Sequence, residues 1–278
     1  MSDDSPLTED TMMIDDCKIG YCRYGHGPMS VLCICGAVGC YKKDWPLSVL
    51  QHFDKSLVTM ICIDPPGYGV SRPPDRVQEV NRCMKDAGFC LKLMEGLQLV
   101  PFTVIGWSEG SRTAIHVAAQ GGSSTLDVNV EYSVTRPQFQ VSKMVLCAAG
   151  SKVSKLGAMA FFGMRNTDHW LPSARAPYTA HYSEDYLRTQ WAGLCSVVQQ
   201  VYDFCGGRFP CDYVLPKIVV PTLILNGGQD RFCGDAKVCF LSVLKKARLE
   251  VHAQGGHDFY MKYPKWFSEK VQSFLKET

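Results

Sequence analysis

No apolar run in this sequence approaches the roughly 20 residues that cross a bilayer as a helix, so no membrane partner is expected. Basic residues are not gathered into a run either. The 29 lysines and arginines are spread along the chain against 27 acids, a formal balance of +2. Nothing in that balance points to a nucleic acid or an acidic surface. The N-terminal MSDDSPLTEDTMMIDD lacks the apolar stretch of a signal peptide and the arginines of a mitochondrial transit peptide. The G-x-G-x-x-G of a dinucleotide-binding unit is missing after the first strand-like run, and no His/Cys/Glu spacing suits a metal. A chemistry that needs neither metal nor organic cofactor is the expectation.

Cysteine, by contrast, is plentiful. Fourteen would suggest a disulfide framework in a short secreted chain, yet here they sit inside apolar runs such as VLCIC, MICID and KMVLCAAG. Such positions suit buried thiols acting as small hydrophobes, in a protein kept in a reducing compartment such as the cytoplasm. A chain of 278 residues buries about three quarters of its unfolded surface without staples, and a monomer is expected.

Short apolar runs alternate with longer amphipathic ones. Runs 31–35, 58–64, 102–107, 143–150, 222–228 and 248–253 are rich in Val, Ile and Leu and read as buried strands. Helical patterns fall at Trp45–Asp54, Val80–Gly96, Ser111–Gln120, Asp235–Lys246 and Trp266–Lys276. Strand and helix in alternation predict an α/β fold, a mostly parallel sheet covered on both faces. Residues 1–16, rich in acids, Ser and Thr, read as a disordered tail. The core is expected from 17–150 and 217–278, with a surface insertion at 121–140. The aromatic-rich stretch 151–216, without a buried strand, predicts a helical cap over the strand ends.

Chemistry gathers at Gly106-Trp107-Ser108-Glu109-Gly110, a G-x-S-x-G between the strand FTVIGW and the helix SRTAIHVAAQ. Glycines suit a turn too tight for side chains, and the serine then projects at the strand's carboxyl end above a helix N-terminus. A serine nucleophile needs a base, and the base an orienting acid. Asp230 follows the strand TLILNGG and His257 follows the strand RLEVHAQ, so Ser108, Asp230 and His257 each lie just past a strand end. Asp235 and Asp258 are rival acids, the first suited to starting a helix and the second close to the base. His52, His116 and His252 fall within helix or strand patterns and read as structural. Backbone donors for an oxyanion are expected at Glu109 and, on the loop after VLCIC, at Ala37 or Val38.

These motifs, with DPPGYGVSRPPDR and the terminal GGHDFY, make the chain similar to the α/β-hydrolase family from about Lys18 onward. Within it the chain resembles the biphenyl hydrolase-like branch, also called valacyclovir hydrolase. The resemblance implies a serine hydrolase cleaving carboxylic esters of α-amino acids, with the acid after the nucleophile pairing with the substrate ammonium. This chain has Glu109 where the branch usually has Asp, and Trp107 beside the nucleophile is a further substrate-contact candidate. An esterase or C–C bond hydrolase for neutral substrates, and a binding protein on a hydrolase scaffold, are the alternatives. Serine at 108 argues against dehalogenase or epoxide hydrolase chemistry, which resembles this scaffold but uses Asp there.

Overall fold

Alternation along a single strand sets up the whole architecture. In β3 (Met29–Ile34), Val31 and Cys33 enter one apolar cluster while Leu32 and Ile34 enter another. Side chains two apart share a face, so a strand apolar on both faces must be covered on both. The same holds for β4 (Val58–Ile63), β5 (Phe102–Trp107) and β7 (Thr222–Gly227), every residue of which is buried. These strands join β1 (Leu7–Ile14), β2 (Cys17–Tyr24), β6 (Val141–Cys147) and β8 (Ala247–His252) in one eight-stranded sheet. The computed structural model describes residues 7–122, 140–232 and 236–277.

Strand order is β1-β2-β4-β3-β5-β6-β7-β8, parallel from β4 to β8 and antiparallel at β1 and β2. The chain runs outward from β3 to β4, then returns across β3 to β5. At such a reversal the loops leaving adjacent strand ends part and leave a crevice. The loops after β3 and β5 flank it, and these are the loops that the sequence marks with CGAVGC and GWSEG.

The helices are α1 (Tyr41–Asp44), α2 (Leu47–Leu50), α3 (Arg82–Gly96), α4 (Glu109–Gly121) and α5 (Lys155–Gly163). They continue as α6 (Pro172–Thr179), α7 (Glu184–Phe204), α8 (Pro210–Val214), α9 (Phe259–Lys262) and α10 (Pro264–Lys276). Residues of α3, α4 and α8 pack on one face of the sheet, and those of α2, α9 and α10 on the other. Between β6 and β7 the described chain is helical, apart from an isolated bridge between Lys152 and Arg208.

Three expectations need correction. Residues 7–14 are not a disordered tail but the edge strand β1, paired with β2 from Leu7↔Tyr24 to Ile14↔Cys17. Its two-residue turn, Asp15 and Asp16, has φ of 48° and 61°, the primed geometry that matches strand twist. Backbone pairing, not burial, holds this strand, and its acids face water. A single helix over 45–54 is also not found: Pro46 cannot continue one, so α1 ends at Asp44 and α2 starts after the proline. Of the helix expected over 235–246, the structure shows a π-helical turn, Lys237–Leu241, followed by turns into β8. Most of the expected insertion, 123–139, lies outside the described residues.

Candidate active site

The turn after β5 is held by contact too close for any side chain. A Cβ on Gly106 would stand 2.2 Å from the Gly110 carbonyl oxygen, and one on Gly110 would stand 2.4 Å from that of Ile34. Between them Ser108 takes φ 54° and ψ −116°, a strained conformation that caps α4 and lifts its hydroxyl out of the helix. Ser111 braces the turn, its hydroxyl within 2.7 Å of the Gly106 carbonyl and 3.0 Å of that of Cys147.

Three residues far apart in sequence meet here. Ser108 Oγ lies 2.9 Å from His257 Nε2, and His257 Nδ1 lies 2.8 Å from Asp230 Oδ2. The Asp230 side chain is fully buried, and its second oxygen accepts from the Phe232 amide at 2.7 Å. Asp258, the neighbouring rival, stands 3.3 Å from Lys262 at the surface. Asp235 lies outside the described residues. Of the other histidines, His116 is buried, with its pKa pushed down to about 4 by that burial, and His252 stacks on Tyr263 at 3.8 Å.

Trp107 differs from its expected role as substrate contact alone. It borders the cavity, but its indole N–H also donates to the His257 carbonyl at 2.9 Å, and its ring lies 5.4 Å from the imidazole. It therefore also holds the backbone that carries His257. Phe232 meets the imidazole edge-on at 5.3 Å.

The expected oxyanion donors flank the serine. Glu109 is the first residue of α4, where a backbone N–H has no acceptor within the helix. Ala37 borders the cavity. Val38 takes φ 48°, a strained angle for a β-branched residue, and its side chain packs away with Tyr68, Tyr182 and Leu187. The Tyr182 hydroxyl donates to the Gly39 carbonyl at 2.9 Å and accepts from the Gly69 amide at 2.8 Å, so one phenol joins three segments. The Asp44 carboxylate accepts from the Gly36 amide at 2.9 Å and fixes the start of the same loop.

Above this floor lies a cavity of about 890 Å³, a size suited to a small organic substrate. Ala160, Phe161, Trp170, Tyr178, Trp191 and Leu194, all from the helical 151–216 segment, line it. Trp170 and Trp191 meet edge-to-face at 4.7 Å.

The carboxylate of Glu109 does not stand free in that cavity. Its two oxygens accept from Arg82 Nε at 3.0 Å and Nη2 at 2.6 Å, with Arg76 at 3.8 Å. Arg76 itself pairs with Asp86, and all four side chains are buried. Burial alone would raise the Glu109 carboxyl; the Arg82 guanidinium overcomes this, with help from Arg76 and Arg112, and holds it at about 2. The carboxylate expected to meet a substrate ammonium is thus engaged on both oxygens by Arg82, at the edge of the cavity. A pH dependence follows. The ordinary value is 4.5, so the pair stabilises the fold above that pH, and this contribution fades as pH falls toward 2. In thermal melts the gap between the wild type and Glu109→Gln should be widest near neutral pH and narrow from pH 4.5 downward.

Known proteins resemble this chain over most of its length. The model of the alpha/beta hydrolase family matches residues 31–270. The chain belongs to that family. It is 29% identical over 274 residues to a Mus musculus protein named serine hydrolase BPHL, covering 97% of this chain and 87% of that one. The Homo sapiens protein of the same name is 27% identical over 271 residues, with the same coverage. Among solved structures, a serine hydrolase involved in carbazole degradation superposes with a TM-score of 0.70 at 19% identity, covering 97% and 98% of the two chains. A meta-cleavage product hydrolase gives 0.72 at 18% identity, again covering 97% and 98%. Both show this hydrolase's fold.

Proposed function

We propose that this α/β hydrolase cleaves carboxylic esters through an acyl-enzyme, with Ser108 as nucleophile. The observation that supports this most directly is the unbroken chain from the buried Asp230 carboxylate through His257 to the Ser108 hydroxyl, set in a strained turn beneath the cavity. His257 takes the Ser108 proton as the oxygen attacks the ester carbonyl, while Asp230 holds the imidazole and stabilises its charged form. The backbone N–H groups of Glu109 and Ala37 receive the negative charge on the carbonyl oxygen, each worth about 3–4 kcal/mol in such sites. His257 then gives its proton to the departing alcohol. Water, activated by the same imidazole, releases the acid and frees the serine.

The acyl group need not carry an ammonium. With Glu109 bound to Arg82, the side chain that would recognise an α-amino ester is neutralised, and a second buried arginine stands behind it. We expect an α-amino acid ester and its des-amino analogue to be hydrolysed with kcat/KM values within about threefold of each other. A tenfold or greater advantage for the amino ester would return Glu109 to ammonium recognition. A protein that neither hydrolyses simple esters nor takes up a fluorophosphonate at Ser108 would instead be a binding protein on this scaffold.

A further inference from the structure

One strong cation in the cavity wall makes no ion pair among the described residues. Arg112 lies one turn along α4 from the nucleophile and borders the cavity. Its Nε donates to the Gly150 carbonyl at 2.9 Å, and its guanidinium lies 3.5 Å from the centre of the buried Phe209 ring. Among the described residues it makes no other hydrogen bond and no ion pair. Its neighbours compensate it only in part: Arg76 pairs with Asp86 and Arg82 with Glu109, so three guanidiniums share two carboxylates. Elsewhere around the cavity the charged side chains are Lys152 and Arg231, both cationic, and the described wall contains no acid besides Glu109.

Burial disfavours the charge and pushes the Arg112 guanidinium below its ordinary value, an effect that the nearby Glu109 offsets only in part. Leucine or methionine would cover Phe209 without that penalty. A guanidinium here suits a ligand that arrives with the missing anion. We propose that Arg112 binds a second, free carboxylate on the substrate, so that the preferred esters are those of dicarboxylic acids or of carboxylate-bearing alcohols. The terminal nitrogens present the planar fork that matches a carboxylate, and Nε and Phe209 fix its plane. The aromatic remainder of the cavity receives the apolar body of the substrate. This inference rests on the esterase assignment and adds the charge of the substrate to it.

Steady-state rates on matched esters test it. On the acyl side, aryl hemisuccinate and hemiglutarate are compared with the aryl butyrate and valerate. On the alcohol side, acetyl esters of hydroxybenzoic acids are compared with phenyl acetate. Wild type should favour the anionic member in one of the two series by about ten- to a hundredfold in kcat/KM, mostly through KM. The series that responds tells which half of the substrate holds the carboxylate. In Arg112→Gln the anionic-to-neutral ratio should fall to near one, and in Arg112→Lys it should lie between. A merely structural Arg112 would lower both members together and leave the ratio unchanged. Hydrolysis of neutral esters with no anionic preference in either series overturns the carboxylate site while leaving the esterase standing. Absence of both hydrolysis and fluorophosphonate labelling would sink the esterase itself.

Discussion

Ser108→Ala should reduce ester turnover by about a million-fold and abolish fluorophosphonate labelling, while the melting temperature hardly moves. The size of the drop follows from the coupling of three groups. Without Oγ, His257 has no proton to take, and Asp230 then orients a base with nothing to activate. What remains is the activity of a polarised pocket, because the N–H groups of Glu109 and Ala37 belong to the backbone and survive the substitution. Such residues give about a thousand- to ten-thousand-fold over water. Stability should hold because, among the described residues, Ser108 Oγ bonds only the imidazole, whereas the turn is braced by Ser111 and the packed glycines. Labelling that persists in Ser108→Ala would place the nucleophile elsewhere.

Arg82→Met should be the most destabilising single change in the site, lowering stability by about 3–5 kcal/mol. It removes both charge-assisted bonds to Glu109 and leaves a buried carboxylate with Arg76 at 3.8 Å, already engaged by Asp86, and the more remote charge of Arg112. The pair is costly to break rather than inherently stabilising, so Arg82→Met/Glu109→Leu should regain most of the loss. Chemical denaturation of the two single variants and the double variant measures this coupling. Near-additive losses would mean that the pair contributes no more than its separate packing. Catalysis should suffer in Arg82→Met even where the protein stays folded, because the Glu109 backbone N–H is an expected oxyanion donor and its side chain would no longer be anchored.

Much of this was legible in the sequence because parallel strands are buried on both faces and write themselves as unbroken apolar runs. The loops after β3, β5, β7 and β8 could then be located, and with them Ser108, Asp230 and His257. The hairpin of β1 and β2 was not legible. Its outer strand is held by backbone pairing and carries the acids expected of a solvated tail, and its turn is Asp-Asp rather than Asn-Gly. Nor did the sequence show what Glu109 touches, since Arg82 lies 27 residues away. A signal did exist: Arg82 and Asp86 fall on the same stripe of α3 as Cys83, Ala87, Cys90 and Met94, all buried. Opposite charges inside an apolar stripe have to find partners in the interior. Arg112 left no comparable trace, because its place at the cavity depends on how α4 meets the helices above it.

The single phenol of Tyr182 ties the roof of the pocket to its floor. It grips Gly39 beside the oxyanion loop and Gly69 in the GYG turn, from a position directly before α7. Displacement of the start of α7 would be transmitted to the loop after β3, where an oxyanion donor is proposed. The helical segment and the two strand-end loops are therefore joined at one side chain, and none of the three can be repositioned by evolution alone.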